Sequence, residues 1–200
     1  MRKNKLILMS TVAFFLAIVT LYGQDSAMTE KGGAAVVKRP SIWANKVTNT
    51  SLTNLYKVDE GIFRCEQPDQ KSFKELENLG IKSVLNLRNK HSDSLFLQDS
   101  PLNCFKVNME AKDIADDEII LALKALKDAP KPIVVHCKHG ADRTGVVIAM
   151  YRIVFQDWTK EKAIGELKYG GFGFHEAFAN IPVYIQQTNV AEMKKIVLQK

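Results

Sequence analysis

Cysteine is scarce in this 200-residue chain: Cys65, Cys104 and Cys137 are all it has. An odd count excludes a fully paired disulfide framework, so at least one thiol stays free. No stripe of lysine and arginine interleaves with aromatic residues, which leaves nucleic-acid binding without a footprint. A metal centre has little to draw on. The adjacent His136, Cys137 and His139 cannot easily all face one ion, and no second ligand cluster completes them. Neither metal nor cofactor is therefore expected, and nothing in the length or composition asks for more than one domain.

The amino-terminal residues stand apart from that domain. Arg2, Lys3 and Lys5 precede an apolar run, Leu6 to Tyr22, broken only by Ser10, Thr11 and Thr20. This is the pattern of a secretory signal over residues 1–23, with Gly23 as a small residue at the cleavage point. No cysteine follows the run at a lipid-attachment position. The rival reading is an uncleaved membrane anchor, because the run approaches the length that spans a bilayer. Either way the remainder is expected outside the cytoplasm, periplasmic or secreted, with membrane contact only if the segment stays attached. Without residues 1–23 the formal charge falls from +6 to +3, with 25 basic residues against 22 acidic. Residues 24–53 are small and polar and read as a linker or arm, leaving 54–200 as the domain.

What the domain does have is concentrated in one stretch, His136-Cys137-Lys138-His139-Gly140-Ala141-Asp142-Arg143-Thr144-Gly145. The preceding Pro132 to Val135 is short, apolar and β-branched, as in a buried parallel strand, and Val146 to Val154 reads as a buried helix. A loop entering a helix gathers backbone N–H groups and the positive end of the helix dipole into a cup for an anion. Cys137 lies at its floor, where the same field favours the thiolate and makes it a nucleophile near neutral pH. Arg143 closes the cup with a planar fork that binds two phosphoryl oxygens and neutralises transition-state charge. The Thr144 hydroxyl can stabilise the thiolate as a leaving group. Gly140 and Gly145 permit unusual dihedrals or close packing. Lys138, His139, Gly140, Ala141, Asp142 and Arg143 are the candidate substrate-binding residues, with Lys138 favouring an anion and Asp142 opposing one.

These residues resemble the cysteine-dependent protein tyrosine phosphatase superfamily, in particular its compact bacterial dual-specificity branch, whose signature is His-Cys-x5-Arg-Thr/Ser-Gly. The likeness extends to Asn54–Val58, Ile62–Pro68, Gly80–Arg88, Tyr151–Val154 with Trp158, and the glycine run Gly170–His175. It covers roughly residues 50 to 190. The resemblance implies that Cys137 attacks phosphorus to form a phosphocysteine and that an upstream aspartic acid protonates the leaving oxygen. Asp113, after the strand at Phe105–Met109, is the first choice. Asp116 is second, and Asp116 and Asp117 also suit capping of the helix that follows. Cys104 is placed like the resolving cysteine of tensin-related lipid phosphatases, so Cys65 and Cys104 are candidates to pair with each other or with Cys137.

An α/β domain is expected, with a central four- or five-stranded sheet flanked by helices and the site at the carboxyl end of the signature strand. A second helix is capped by Thr159, and a last one is expected to follow Pro182 to the end. The expected activity is hydrolysis of a phosphorylated protein or small phosphate ester. The alternatives are a silent phosphate-binding module, a sulfurtransferase or arsenate reductase loop, and a lipid or inositol phosphate phosphatase. Lys138 is shared with the tensin-related enzymes. Their second loop lysine is absent, because Ala141 and Asp142 occupy that part of the cup.

Overall fold

A computed structural model describes residues 39–199; the signal-type segment 1–23 and residues 24–38 lie outside them. Six strands form one sheet: β1 (Asn45–Lys46), β2 (Tyr56–Lys57), β3 (Ile62–Cys65), β4 (Ser83–Arg88), β5 (Asn103–Met109) and β6 (Ile133–His136). Their order is β1-β2-β3-β6-β4-β5. β1, β2 and β3 pair antiparallel, whereas β3, β6, β4 and β5 run parallel. β6 is central and all four of its residues are buried, as its unbroken Ile-Val-Val-His run requires.

The helices are α1 (Gln70–Asn78), α2 (Asp116–Asp128), α3 (Asp142–Phe155), α4 (Lys160–Tyr169), α5 (Asn180–Gln187) and α6 (Val190–Leu198). Asp69 caps α1 by accepting from the Ser72 N–H at 2.8 Å, and Thr159 caps α4 through the Lys162 N–H. Beyond its first turn α3 is almost wholly apolar, and Val146, Val147, Ile148, Ala149, Met150, Ile153 and Val154 are all buried. Such a helix is stable only inside a protein. It packs against α2, α4, α5 and α6, so the helix that carries the signature loop is also the centre of the core.

Three sequence expectations need correction. The α/β class stands, but two short edge strands, β1 and β2, bring the sheet to six. Residues 39–53 are not a linker: Ala44 and Leu52 are buried, β1 pairs with β2, and the Arg39 guanidinium donates to the carbonyl of Gly170. They cover an apolar face that would otherwise meet water. The last helix is two, broken at Thr188–Asn189, where the Asn189 side chain caps α6; Pro182 lies inside α5.

α3 and α4 are joined by a buried ion pair. The Arg152 guanidinium donates to both carboxylate oxygens of Glu166 at 2.9 Å and stacks 4.3 Å from the Trp158 ring centroid. Glu166 also accepts from the Ala44 N–H at 2.6 Å. Removing one partner strands a buried charge, so Glu166→Ala is expected to destabilise the fold by about 3–5 kcal/mol in urea unfolding. The double variant Arg152→Met/Glu166→Leu is expected to lose less than Glu166→Ala alone; equal or greater loss would show that packing, not charge, holds this contact.

Candidate active site

β6 ends at His136, and the chain turns through residues 137–141 into α3. What shapes this turn is the direction of its carbonyls. The Lys138 carbonyl accepts from the Gln67 N–H (3.2 Å), that of His139 from the Asn54 Nδ2 (2.8 Å), and that of Gly140 from the Arg64 Nη2 (2.6 Å). All three donors lie in or beside β2 and β3. In a trans peptide the C=O and the next N–H point opposite ways, so the N–H groups of His139, Gly140 and Ala141 face the other side, into the cup. None of the three donates to a protein backbone acceptor among the described residues. Gly140 has φ +70°, and a Cβ there would lie 2.5 Å from the Cys65 carbonyl oxygen. Only glycine fits that approach.

Cys137 is 2 % exposed at the floor of the turn. Arg143, in the first turn of α3, donates through Nη1 to the Met109 carbonyl at 3.2 Å, which fixes the fork beside the cup and ties it to the end of β5. Thr144 is fully buried and its hydroxyl has no hydrogen-bond partner among the described residues. Lys138 and His139 line the rim, whereas Ala141 is packed inside. Asp142 does not face the cup as a free charge: its buried carboxylate accepts from the His175 N–H (3.0 Å) and the His175 Nδ1 (2.9 Å).

Two functional residues carry no signal that composition or spacing reveals. Arg64 lies fully buried under the turn, its guanidinium 3.6 Å from the Phe172 ring centroid. Burial pushes it down to about 10, against the pull of Glu166 and Cys137, which favour its charged form. It is therefore a cation whose Nη2 anchors the Gly140 carbonyl. Asp93 is the second. Its carboxylate accepts from His136 Nε2 (2.9 Å), Gln67 Nε2 (2.8 Å) and Asn86 Nδ2 (2.8 Å). Burial works to raise its pKa, but the hydrogen bond and charge of His136 and the Gln67 donor outweigh burial and hold it below the usual carboxylate range. His136 Nδ1 in turn lies 3.3 Å from the Cys137 carbonyl. The segment Ile62–Pro68 contains Arg64, but only its burial beneath Gly140 gives it a role.

The acid candidates divide clearly. Asp116 is the first residue of α2, where its charge suits the helix dipole, and it accepts from the Tyr184 hydroxyl at 2.7 Å. Asp113 is exposed on the loop after β5, which closes on itself by a bridge to Glu110. Glu110 directly follows Met109 and accepts from Asn89 Nδ2 at 2.6 Å. The Ala111 carbonyl is held by Asn180 Nδ2, so this loop is fixed at the edge of the cup.

All three cysteines are free thiols, and the sheet order argues against each proposed pairing. β5, which carries Cys104, neighbours β4 and not the catalytic strand β6. At about 4.8 Å per strand, Cys104 lies roughly 10 Å from the β6 line and roughly 14 Å from Cys65, beyond disulfide reach. Cys65 pairs in register with His136, so Cys137 alternates to the other face, and the two thiols pack in different clusters. In the glycine run, Phe172 is buried against Tyr56 and Arg64 and, with Gly171, Gly173 and His175, lines a groove beside Lys138 and His139.

Residues 51–200 match the tyrosine phosphatase family. The dual specificity protein phosphatase TpbA of Pseudomonas aeruginosa is 30% identical over 188 residues, which span 93% of this chain and 81% of the relative. The crystal structure of a cysteine-to-serine variant of TpbA in complex with phosphotyrosine aligns with a TM-score of 0.73 at 29% identity, covering 82% of this chain and 100% of that one. The inositol diphosphatase DSP4 of Arabidopsis thaliana is 26% identical over 184 residues, covering 88% of this chain and 85% of the relative.

The turn's dependence on Gly140 is testable without turnover. Gly140→Ala brings the Cβ onto the Cys65 backbone and displaces inward N–H groups, so inorganic phosphate measured by calorimetry is expected to bind at least tenfold more weakly, the effect of losing about one charged hydrogen bond. Gly80 also has positive φ, but a methyl group added there would meet nothing within 4 Å. Gly80→Ala is expected to lower the melting temperature and leave phosphate affinity intact; equal weakening in both would implicate general destabilisation.

Proposed function

Because the chain belongs to the tyrosine phosphatase family, we propose that its cup hydrolyses phosphate monoesters of proteins, phosphotyrosine included, by the following assignment of residues. The Cys137 sulfur attacks phosphorus and takes the phosphoryl group, while the ester oxygen leaves with a proton. The N–H groups of His139, Gly140 and Ala141 and the Arg143 fork hold the phosphoryl oxygens as charge spreads over them. Arg64, buried below the turn, adds a fixed positive charge near the sulfur. In the second step the carboxylate left by the acid takes a proton from water as its oxygen attacks phosphorus, the P–S bond breaks, and the free Thr144 hydroxyl donates to the departing sulfur. The observation that carries this reading is the outward anchoring of three successive carbonyls over a buried thiol.

For the proton, Asp113 is the proposed acid: it is exposed on the loop beside Met109, and it is not engaged by another helix as Asp116 is by Tyr184. Glu110 is the second reading, since it directly follows the residue whose carbonyl Arg143 holds. Asp113→Asn is expected to cut turnover of an alkyl phosphate by about 10²–10³-fold and spare an aryl ester with a good leaving group. Loss in Glu110→Gln with Asp113→Asn unaffected would move the role to Glu110. Cys137→Ser should abolish turnover of both esters, vanadate should inhibit the native enzyme, and chelators should not.

Inositol phosphates are a second substrate reading, supported by two observations. Lys138 and His139 line the rim, and Asp142 is paired with His175 and so opposes an incoming anion less than its place in the loop suggests. A phosphopeptide and inositol phosphate panel with the trapping Cys137→Ser variant discriminates the two.

Export is proposed on the basic start and apolar run of residues 2–22. In bacterial expression, mass spectrometry of the mature chain is expected to find an amino terminus near Gln24. An intact residue 1 in a membrane fraction would favour the anchor, and an intact soluble chain would overturn export.

A further inference from the structure

The fold gathers a donor set that the catalytic steps leave unused. His139 lies in the turn, Asp142 opens α3, and His175 follows α4, brought back across the turn by the Gly170–Gly173 segment. One donor atom from each of the three lies within 4.8 Å of those of the other two. The chain holds four histidines, and two of them meet here. The Asp142 side chain is 7 % exposed and already aimed at His175 Nδ1, while the His139 and His175 rings stand 5.1 Å apart.

We propose that His139, Asp142 and His175 form a binding site for a divalent transition-metal ion, best matched by Zn²⁺, at the rim of the phosphate cup. Two imidazoles and one carboxylate are a borderline-soft set that leaves a fourth position open. Tetrahedral zinc with bonds of about 2.0–2.1 Å sets its ligands about 3.3 Å apart, so closure asks only for small rotations of two exposed rings. Lys138 and Arg143 line the same groove and repel cations. Mg²⁺ and Ca²⁺, which imidazole binds poorly, are thereby excluded, whereas strong zinc–nitrogen bonds offset that repulsion. Each imidazole coordinates as a neutral ring through one nitrogen, so where the ion takes His175 Nδ1 the proton shared with Asp142 moves to Nε2 of the same ring. Given the phosphatase reading, an ion here narrows the approach to Arg143 and inhibits turnover reversibly.

The test uses the full chain as Cys104→Ser/Cys137→Ser, which removes the exposed and catalytic thiols as competing ligands. Titration with Zn²⁺ against a chromophoric chelator is expected to give one ion per chain, and none for Mg²⁺. His175→Gln and His139→Gln on that background are each expected to weaken zinc at least tenfold, since even an outer-shell loss costs roughly that much. Circular dichroism checks that each variant stays folded. No zinc binding, or binding unchanged in both histidine variants, overturns the site. In the native enzyme, zinc is expected to inhibit in the same concentration range and a chelator to restore activity. Binding without inhibition supports the site and overturns its regulatory effect, and because the binding arm needs no turnover, failure of the phosphatase reading cannot be mistaken for failure of the site.

Discussion

Three backbone carbonyls that point away from the cup decide this structure. Lys138, His139 and Gly140 each surrender their oxygen to a donor from the β2–β3 side, and the geometry of the trans peptide then turns the following N–H groups inward. An anion site of this kind cannot be made by the turn alone. Backbone groups that bind a ligand must leave their protein partners, and the carbonyls on the other side must not be left unpaired in a buried place. The neighbouring strand resolves both demands. It explains why β3 must lie next to β6, why Arg64 is buried, and why Gly140 can tolerate no side chain.

A second layer of polar groups supports the first. Arg64 is held between the turn and the face of Phe172, and Asp93 collects His136, Gln67 and Asn86 beneath the other end. Buried charges are costly unless they are matched: Asp93 is matched by three donors, whereas Arg64 has the Gly140 carbonyl and the Phe172 face, with its Nε unpartnered among the described residues. Such networks tolerate few alternative arrangements, so they hold the reacting groups in place while the surrounding helices supply most of the apolar burial. The Arg152–Glu166 pair does the same between α3 and α4, further from the chemistry.

Legibility followed the range of the interactions. The signature residues Cys137, Arg143 and Thr144, the buried strand before them, the apolar helix after them and the Thr159 cap are local features, and each occupies in the fold the place its neighbours in sequence suggest. Errors arose where the answer depended on which element lies beside which. The sequence puts Cys104 on a strand expected to lie beside the signature strand, yet β4 lies between β5 and β6. Loop position alone makes Asp142 a charge opposing an anion in the cup, yet His175 pairs with it from 33 residues away. Residues 39–53 looked like a linker because their polar composition hides Ala44 and Leu52, the positions that pack.

The sequence by itself marked where an anion would bind: a thiol, an arginine fork and two glycines on a strand-to-helix turn are all set within ten residues. Only the tertiary structure decided what surrounds it. Arg64 and Asn54 became anchors, Asp93 the partner of His136, and His175 a companion of His139 and Asp142, because sheet order and the return of the chain after α4 set those distances. Strand adjacency is fixed by the burial of whole faces, and no local pattern in the chain carries that information.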